Sequence, residues 1–370
     1  MTTSIGCVDP EPSRIGGYGR CPDPFFVERD AEVNISDAAL RSVAFLGTME
    51  RGKFIPRATC FFVQIIEDQH RFDHLVTAEH VISGLLTRGQ EIWLRVNLSN
   101  GGVHIGKLDA DEFRYHPNSE QEPTDVAVCP IVLGLINEKT GEAVQMEVQS
   151  LALNGIGSLL PDDLFRKQYM GRGGEIAIVG LFRSHFGQNR NIPIVRIGNI
   201  SMLPEEPVKT EYAQYVKAYL VEARSIAGLS GSPVFALPDL TLELAKGLLK
   251  AKGGIGIPFA QGAALLGLMH GHFDVPNLNE DVVTDENAPQ RGIHTGIGVV
   301  IPVEKIIETV NHPELVSIRK KIVREHPERG ATADLANDGV AGDDANQHHR
   351  EGFTSLLNAA AKPRERDGQT

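Results

Sequence analysis

Gly228-Leu229-Ser230-Gly231-Ser232-Pro233-Val234 places a serine in a tight turn between glycines, and an apolar strand follows it. Turns of this kind expose a side chain and aim backbone N–H groups at one point in space. Gly228 lets the chain fold back, so that its own N–H and that of Ser230 can face one spot, where two donors would stabilise an oxyanion. Gly231 leaves room beside the hydroxyl. A serine hydroxyl is a poor nucleophile at neutral pH, so the reading requires a base elsewhere in the chain.

Two further segments supply candidates. In His74-Leu75-Val76-Thr77-Ala78-Glu79-His80-Val81-Ile82, an apolar strand runs through Thr-Ala to a histidine and on into a short helical turn. An imidazole titrates near neutrality and suits proton transfer to and from a hydroxyl. In Glu122-Pro123-Thr124-Asp125-Val126-Ala127-Val128, an aspartate opens an apolar strand. A carboxylate behind the histidine would hold its tautomer and stabilise the imidazolium that forms. Asp109 and Asp111 are alternative carboxylates, but both precede Phe113-Arg114-Tyr115 and read as a solvated turn.

The order His, Asp, Ser, with Thr-Ala-x-His, an Asp opening a strand and Gly-x-Ser-Gly-x-Pro, resembles the chymotrypsin-like (trypsin-like) serine peptidases over residues 38–302. The resemblance implies an all-β fold of two six-stranded antiparallel barrels with C-terminal helices and a flexible tail. It implies a serine endopeptidase that forms an acyl-enzyme on Ser230, with His80 as general base and acid and Asp125 as the orienting carboxylate. The oxyanion donors would be the N–H groups of Gly228 and Ser230. Leu265–Gly271 would line the substrate, which makes Met269, His270 and Gly271 candidate substrate contacts, with His270 and His272 as readers of a polar P1 side chain or as simple rim residues. Arg224, six residues before Ser230, is a candidate for the base of the pocket, where it would favour an acidic P1. The alternative is a catalytically silent member of the same fold that serves as a protein-binding or regulatory scaffold.

Some positions depart from the family pattern. Val81 stands where secreted relatives place a cysteine, so a common disulfide is lost. Leu229 stands where animal digestive relatives carry an aspartate that pairs with a newly cut N-terminus, so activation by that route is not expected. Ser232 replaces a frequent second glycine, and Thr59-Cys60-Phe61-Phe62 stands where a Gly-x-Gly-Phe turn is common.

Composition agrees with a β-rich enzyme core. The chain has 370 residues, 41% of them hydrophobic, with 38 Gly and 21 Pro to break it into short elements. Strands are expected at Ser42–Leu46, Thr59–Ile66, His74–Thr77, Glu91–Val96, Asp125–Ile131, Glu175–Leu181, Pro193–Ile200, Tyr215–Val221, Ser232–Ala236, Ala263–His270 and Gly296–Ile301. No regular helix alternates with them, which disfavours a parallel βαβ sheet. Helices are expected at Leu240–Ala251, Pro302–Val310 and Glu314–Glu325, the first of the last two opening on proline.

The expected divisions are an irregular N-terminal arm (1–36), a first barrel with His80 and Asp125 (37–135), a connection (136–172), a second barrel with Ser230 (173–302), C-terminal helices (303–325), and a disordered linker with a short terminal helix (326–370). The tail could reach a partner protein. A net charge of −12 argues against nucleic acid or an anionic membrane as partner. There is no apolar run long enough for a membrane helix and no signal-peptide layout at the start. Cys7, Cys21, Cys60 and Cys129 lack metal-ligand spacing and read as free thiols of a cytoplasmic protein. His348-His349 reads as a surface pair, and Gly171-Arg172-Gly173-Gly174 precedes a strand rather than a helix, so it lacks the helix N-terminus of a phosphate site. No metal or cofactor is expected, and the partner is a protein or peptide substrate.

Overall fold

The structure, a computed structural model, describes residues 36–136, 143–155, 157–210, 215–223, 228–238, 263–275 and 293–326. The chain divides between Asn34 and Ile35, and the described residues all belong to the second unit. The expected arm up to residue 35, the helix at Leu240–Ala251, Arg224 and the tail beyond His326 lie outside them.

The fold is mostly β. A closed six-stranded antiparallel barrel stands beside a second sheet, with helices at the C-terminus, the layout of a chymotrypsin-like double barrel. The first sheet grows from three long strands, β1 (Val43–Glu50), β2 (Lys53–Glu67) and β3 (His70–Thr77). Both hairpins close through two residues, Arg51-Gly52 and Asp68-Gln69, all with positive φ. That is the conformation whose twist matches the flanking strands. Next come β4 (Ile92–Asn97), β5 (Val103–Leu108), β6 (Arg114–Tyr115) and β7 (Ala127–Ile131). The sheet order is β5-β4-β1-β2-β3-β7-β6. Two short strands, β8 (Leu135–Ile136) and β9 (Ala143–Val144), pair with each other, and β10 (Leu151–Ala152) adds to β2 in parallel.

The barrel is built from β11 (Glu175–Gly180), β12 (Ile194–Met202), β15 (Tyr219–Glu222), β16 (Pro233–Ala236), β17 (Ala264–Val275) and β18 (Ile293–Pro302), in the order β11-β12-β15-β18-β17-β16. A small ribbon, β13 (Pro207–Lys209) with β14 (Tyr215–Lys217), leads into β15. The expected strand Tyr215–Val221 is thus two strands that part at Ala218.

Each barrel strand sends apolar side chains inward. Ile176, Ile200, Val221, Val234, Leu266 and Val300, one from each strand, are buried there, and burying each such side chain contributes roughly 1.5–3 kcal/mol. Phe45, Phe61, Phe62, Leu75 and Val128 fill the first sheet's core.

Five α-helices frame the sheets among the described residues: α1 (Asp37–Arg41), α2 (Glu79–Thr87), α3 (Asp163–Tyr169), α4 (Val303–Val310) and α5 (Pro313–Glu325). The short turn expected after His80 is the nine-residue α2. The last two helices are fastened by Arg319, which is 2% exposed. Its guanidinium donates to Glu67 Oε1 on β2, the Val310 carbonyl and Asn311 Oδ1 at 2.8–2.9 Å. A buried guanidinium is tolerable only when its donors are used in this way. Lys305 on α4 bonds Glu122 at 2.8 Å, three residues before Asp125, so the terminal helices hold the loop that carries that aspartate. No helix of the described residues is long and apolar enough to cross a membrane.

Candidate active site

β3 ends at Thr77, and α2 begins two residues later, so His80 is fixed in the first turn of a helix whose Val81, Ile82 and Leu85 are buried. Ala78, at the helix N-cap, has no side-chain oxygen to cap the helix. Asp125 supplies that function from across the sheet: its Oδ1 accepts the His80 backbone N–H at 2.8 Å. A carboxylate at a helix N-terminus gains from the orphan N–H groups and the helix dipole. The other oxygen, Oδ2, faces His80 Nδ1 at 2.7 Å. One aspartate therefore anchors both the backbone and the ring of the same histidine. Asp125 lies two residues ahead of β7 rather than on it, and a bond from Val126 N–H to the Thr124 carbonyl turns the chain there.

His270 also reaches Asp125. Its Nδ1 hydrogen-bonds the same Oδ2, and its ring meets that of His80 edge-on, with centroids 5.2 Å apart. Side-chain exposure is 15% for His80 and 3% for both Asp125 and His270. Burial would push the Asp125 carboxyl up, but the charge and hydrogen bonds of His80 and His270 outweigh it and hold the group well below the usual carboxylate range. Asp125 is thus an anion at neutral pH and can only accept hydrogen bonds, so both Nδ1 atoms carry their protons. With its Nδ1–H committed to Asp125, any proton that the His80 ring exchanges is exchanged at Nε2.

The turn with Ser230 is clamped from both sheets. From β2, Thr59 donates its N–H to the Ser230 carbonyl (3.0 Å) and its hydroxyl to the Gly228 carbonyl (2.8 Å), while that hydroxyl accepts from Leu181 N–H (2.9 Å). From β3, Thr77 donates its hydroxyl to the Thr59 carbonyl at 2.8 Å. From β17, the Met269 carbonyl accepts from Gly231 N–H and the Met269 N–H donates to the Ser232 carbonyl, both at 2.8 Å. The turn thus rests against Thr77, three residues before His80, and against Met269, the neighbour of His270. Gly228 and Gly231 have φ of +107° and +83°, and Leu229 is buried between them. Among the described residues, neither the Gly228 nor the Ser230 N–H donates to a protein acceptor.

The structure therefore brings His80, Asp125 and His270 into direct contact and fixes Gly228 and Ser230 in a turn tied to the residues beside them. Met269 is fully buried, Gly271 half-buried and His272 exposed. His270, read from sequence as a candidate substrate contact or a simple rim residue, turns its ring to Asp125. Thr59, Thr77 and Glu79 were not singled out from the sequence. Thr77 belongs to the Thr-Ala-x-His segment and Thr59 opens Thr59-Cys60-Phe61-Phe62, but their strands also carry charged residues, so neither hydroxyl stands out. Ligating atoms of His80, Asp125 and His270 lie within 4.8 Å of one another, a set that a zinc-like ion could use. The hydrogen bonds among them already account for the arrangement. Burial pushes up the thiols of Cys60 and Cys129, which leaves them packing groups rather than nucleophiles.

Glu79, half-buried beside this cluster, is raised to about 7 by burial and by the Asp125 carboxylate, with His80 opposing. Its proton is held more tightly in the folded than in the unfolded chain, where it titrates near 4.5. The stability this contributes is present below that value and is lost as pH rises through about 7. Glu79→Gln should therefore stabilise the protein by about 1–2 kcal/mol at about pH 8, with solvent screening taken into account, and by almost nothing at about pH 4. Urea denaturation at the two pH values measures this, and an equal effect at both would exclude it.

No family model matches the sequence, and no curated protein matches it. Among solved structures, the chain is similar to the protease domain of MamO from Magnetospirillum magneticum in its apo form, at 14% identity and TM-score 0.40 over 73% of this chain and 96% of that one. It is similar to Deg5 at 16% identity and TM-score 0.38, over 74% of this chain and 89% of that one. The Rv3671c protease in an inactive form is similar at 12% identity and TM-score 0.35, with the same two coverages.

Proposed function

We propose that this protein is a serine endopeptidase whose substrates are proteins or peptides. The observation that carries the reading is the His80–Asp125 pair, bonded at 2.7 Å through Nδ1 and 2.8 Å through the backbone, set beside a clamped Gly-Leu-Ser-Gly turn. Ser230 Oγ attacks the scissile carbonyl, and His80 Nε2 takes the hydroxyl proton. The imidazolium keeps its Nδ1–H on Asp125, which stays ionised throughout. The N–H groups of Gly228 and Ser230 receive the oxyanion, and each such donor is typically worth about 10²–10³ in rate. His80 then passes its proton to the leaving amine, whose departure leaves an acyl-enzyme on Ser230. Water repeats the sequence in reverse roles and frees the serine.

A fluorophosphonate probe tests the reading whatever the peptide substrate, because it reacts with the activated hydroxyl itself. It should form one adduct, located on Ser230 by peptide mass spectrometry. A protein left unlabelled, or labelled at another residue, would refute the assignment.

A further inference from the structure

We infer that His270 is a positioning residue of the same site: a second imidazole that holds Asp125 in the orientation His80 needs. The inference rests on the peptidase reading above.

The local backbone shows how His270 comes to face the aspartate. Along the β17–β18 ladder, Met269 pairs with Val300 and Gly271 pairs with Val299, so the register shifts at His270. A bulge of this kind leaves one residue outside the ladder and re-aims its side chain. The next pairs place His272 opposite Gly298, on an exposed part of the strand, whereas the His270 side chain is 3% exposed and bonded to Asp125.

Three donors thus converge on one buried carboxylate: the His80 N–H on Oδ1, and the Nδ1–H groups of His80 and His270 on Oδ2. Without His270, Oδ2 would be held by the His80 ring alone, while Oδ1 stayed on the His80 backbone N–H. With His270 in place, Oδ2 is also held from a separate strand.

That strand has a second task. Met269 bonds the Ser230 turn on both sides, to Gly231 N–H and to the Ser232 carbonyl. Two adjacent residues of β17 therefore set the acid and the nucleophile turn relative to each other. His270 touches neither substrate nor reacting atoms in this scheme; it acts through Asp125.

Two substitutions separate this role from packing. His270→Leu keeps bulk and removes the donor, whereas His270→Asn places an amide N–H where Nδ1 stood. Because a hydrogen bond to a charged group is at stake, His270→Leu should lower kcat by about 10- to 100-fold with KM nearly unchanged, and His270→Asn should recover most of the loss. Equal rates in both variants would overturn the inference, as would a change confined to KM, which would mark His270 as a substrate contact.

Proton NMR with labelled histidine gives a readout independent of turnover. The wild type should show two downfield Nδ1–H signals. His270→Leu should keep only that of His80, and Asp125→Ala should lose both. A wild-type spectrum without the His270 Nδ1–H signal would overturn the inference, since that nitrogen would then hold a lone pair, the state a metal ion requires. If the two signals are present but the fluorophosphonate fails to label Ser230, the peptidase reading falls while the His270–Asp125 bond stands.

Discussion

On the proposed mechanism, replacing Ser230 with alanine should lower kcat for peptide hydrolysis by about 10⁶-fold, and replacing Asp125 with asparagine should lower it by about 10⁴-fold, the scale of losses seen when triad members are removed from serine peptidases. The two losses have different causes. Alanine at 230 removes the attacking oxygen and leaves the oxyanion donors in place. Asparagine at 125 turns the acid's role around: its amide can present N–H to His80 Nδ1, which must then lose its proton to accept. In the proposed scheme the ring would carry hydrogen on Nε2 and could not take the Ser230 hydroxyl proton. Since Asp125 Oδ1 also accepts the His80 backbone N–H at 2.8 Å, asparagine keeps one oxygen for that bond and the fold is retained. The double variant should be no slower than Ser230→Ala alone, because a missing nucleophile leaves the base with nothing to activate. Rates on a peptide library, with circular dichroism to confirm folding, decide it. An Asp125→Asn enzyme within tenfold of wild type would show that the carboxylate does not serve His80.

Much of this arrangement was legible in the linear sequence because it is written in short local patterns. The apolar runs at Thr59–Ile66, His74–Thr77 and Glu175–Leu181 alternate or fill in the way buried strands do, and each coincides with an observed strand. What stayed hidden depends on contacts between distant residues. β5, Val-His-Ile-Gly-Lys-Leu, is half-exposed along its length, so no face of it reads as core. α1 and α3 are five and seven residues long, too short for a helical period to stand out, although Ser36 and Asp162 cap them in the usual way. His270 faces Asp125 because of a bulge, and a bulge is a property of two strands paired together. Thr59 bonds Gly228 across 169 residues of chain, a partnership that no window of sequence contains.

Gly231→Ala should be among the most damaging single-methyl additions in this protein. A Cβ at that position would sit 2.1 Å from the Thr59 carbonyl oxygen and 2.4 Å from Thr77 Oγ1. Neither neighbour can step aside. The Thr59 carbonyl is held by the Thr77 hydroxyl, its N–H by the Ser230 carbonyl, and both residues are in buried strands. The backbone adds a second penalty, because φ of +83° disfavours any L side chain by about 1–2 kcal/mol. With overpacking at roughly 1–3 kcal/mol, the total is about 2–5 kcal/mol. In a chain of this size that lowers the Tm by about 3–6 °C. Relief of the clash has to come from the turn itself, which would carry Ser230 away from β2 and break its bond to Thr59. Activity should therefore fall by more than the stability loss explains, and should stay low at temperatures where the variant is folded. Gly171→Ala is the control, since a Cβ there meets nothing within 4 Å and requires no unusual φ, and its Tm should match the wild type. A Gly231→Ala protein with wild-type Tm and rate would mean that the Ser230 turn does not rest on Thr59 and Thr77.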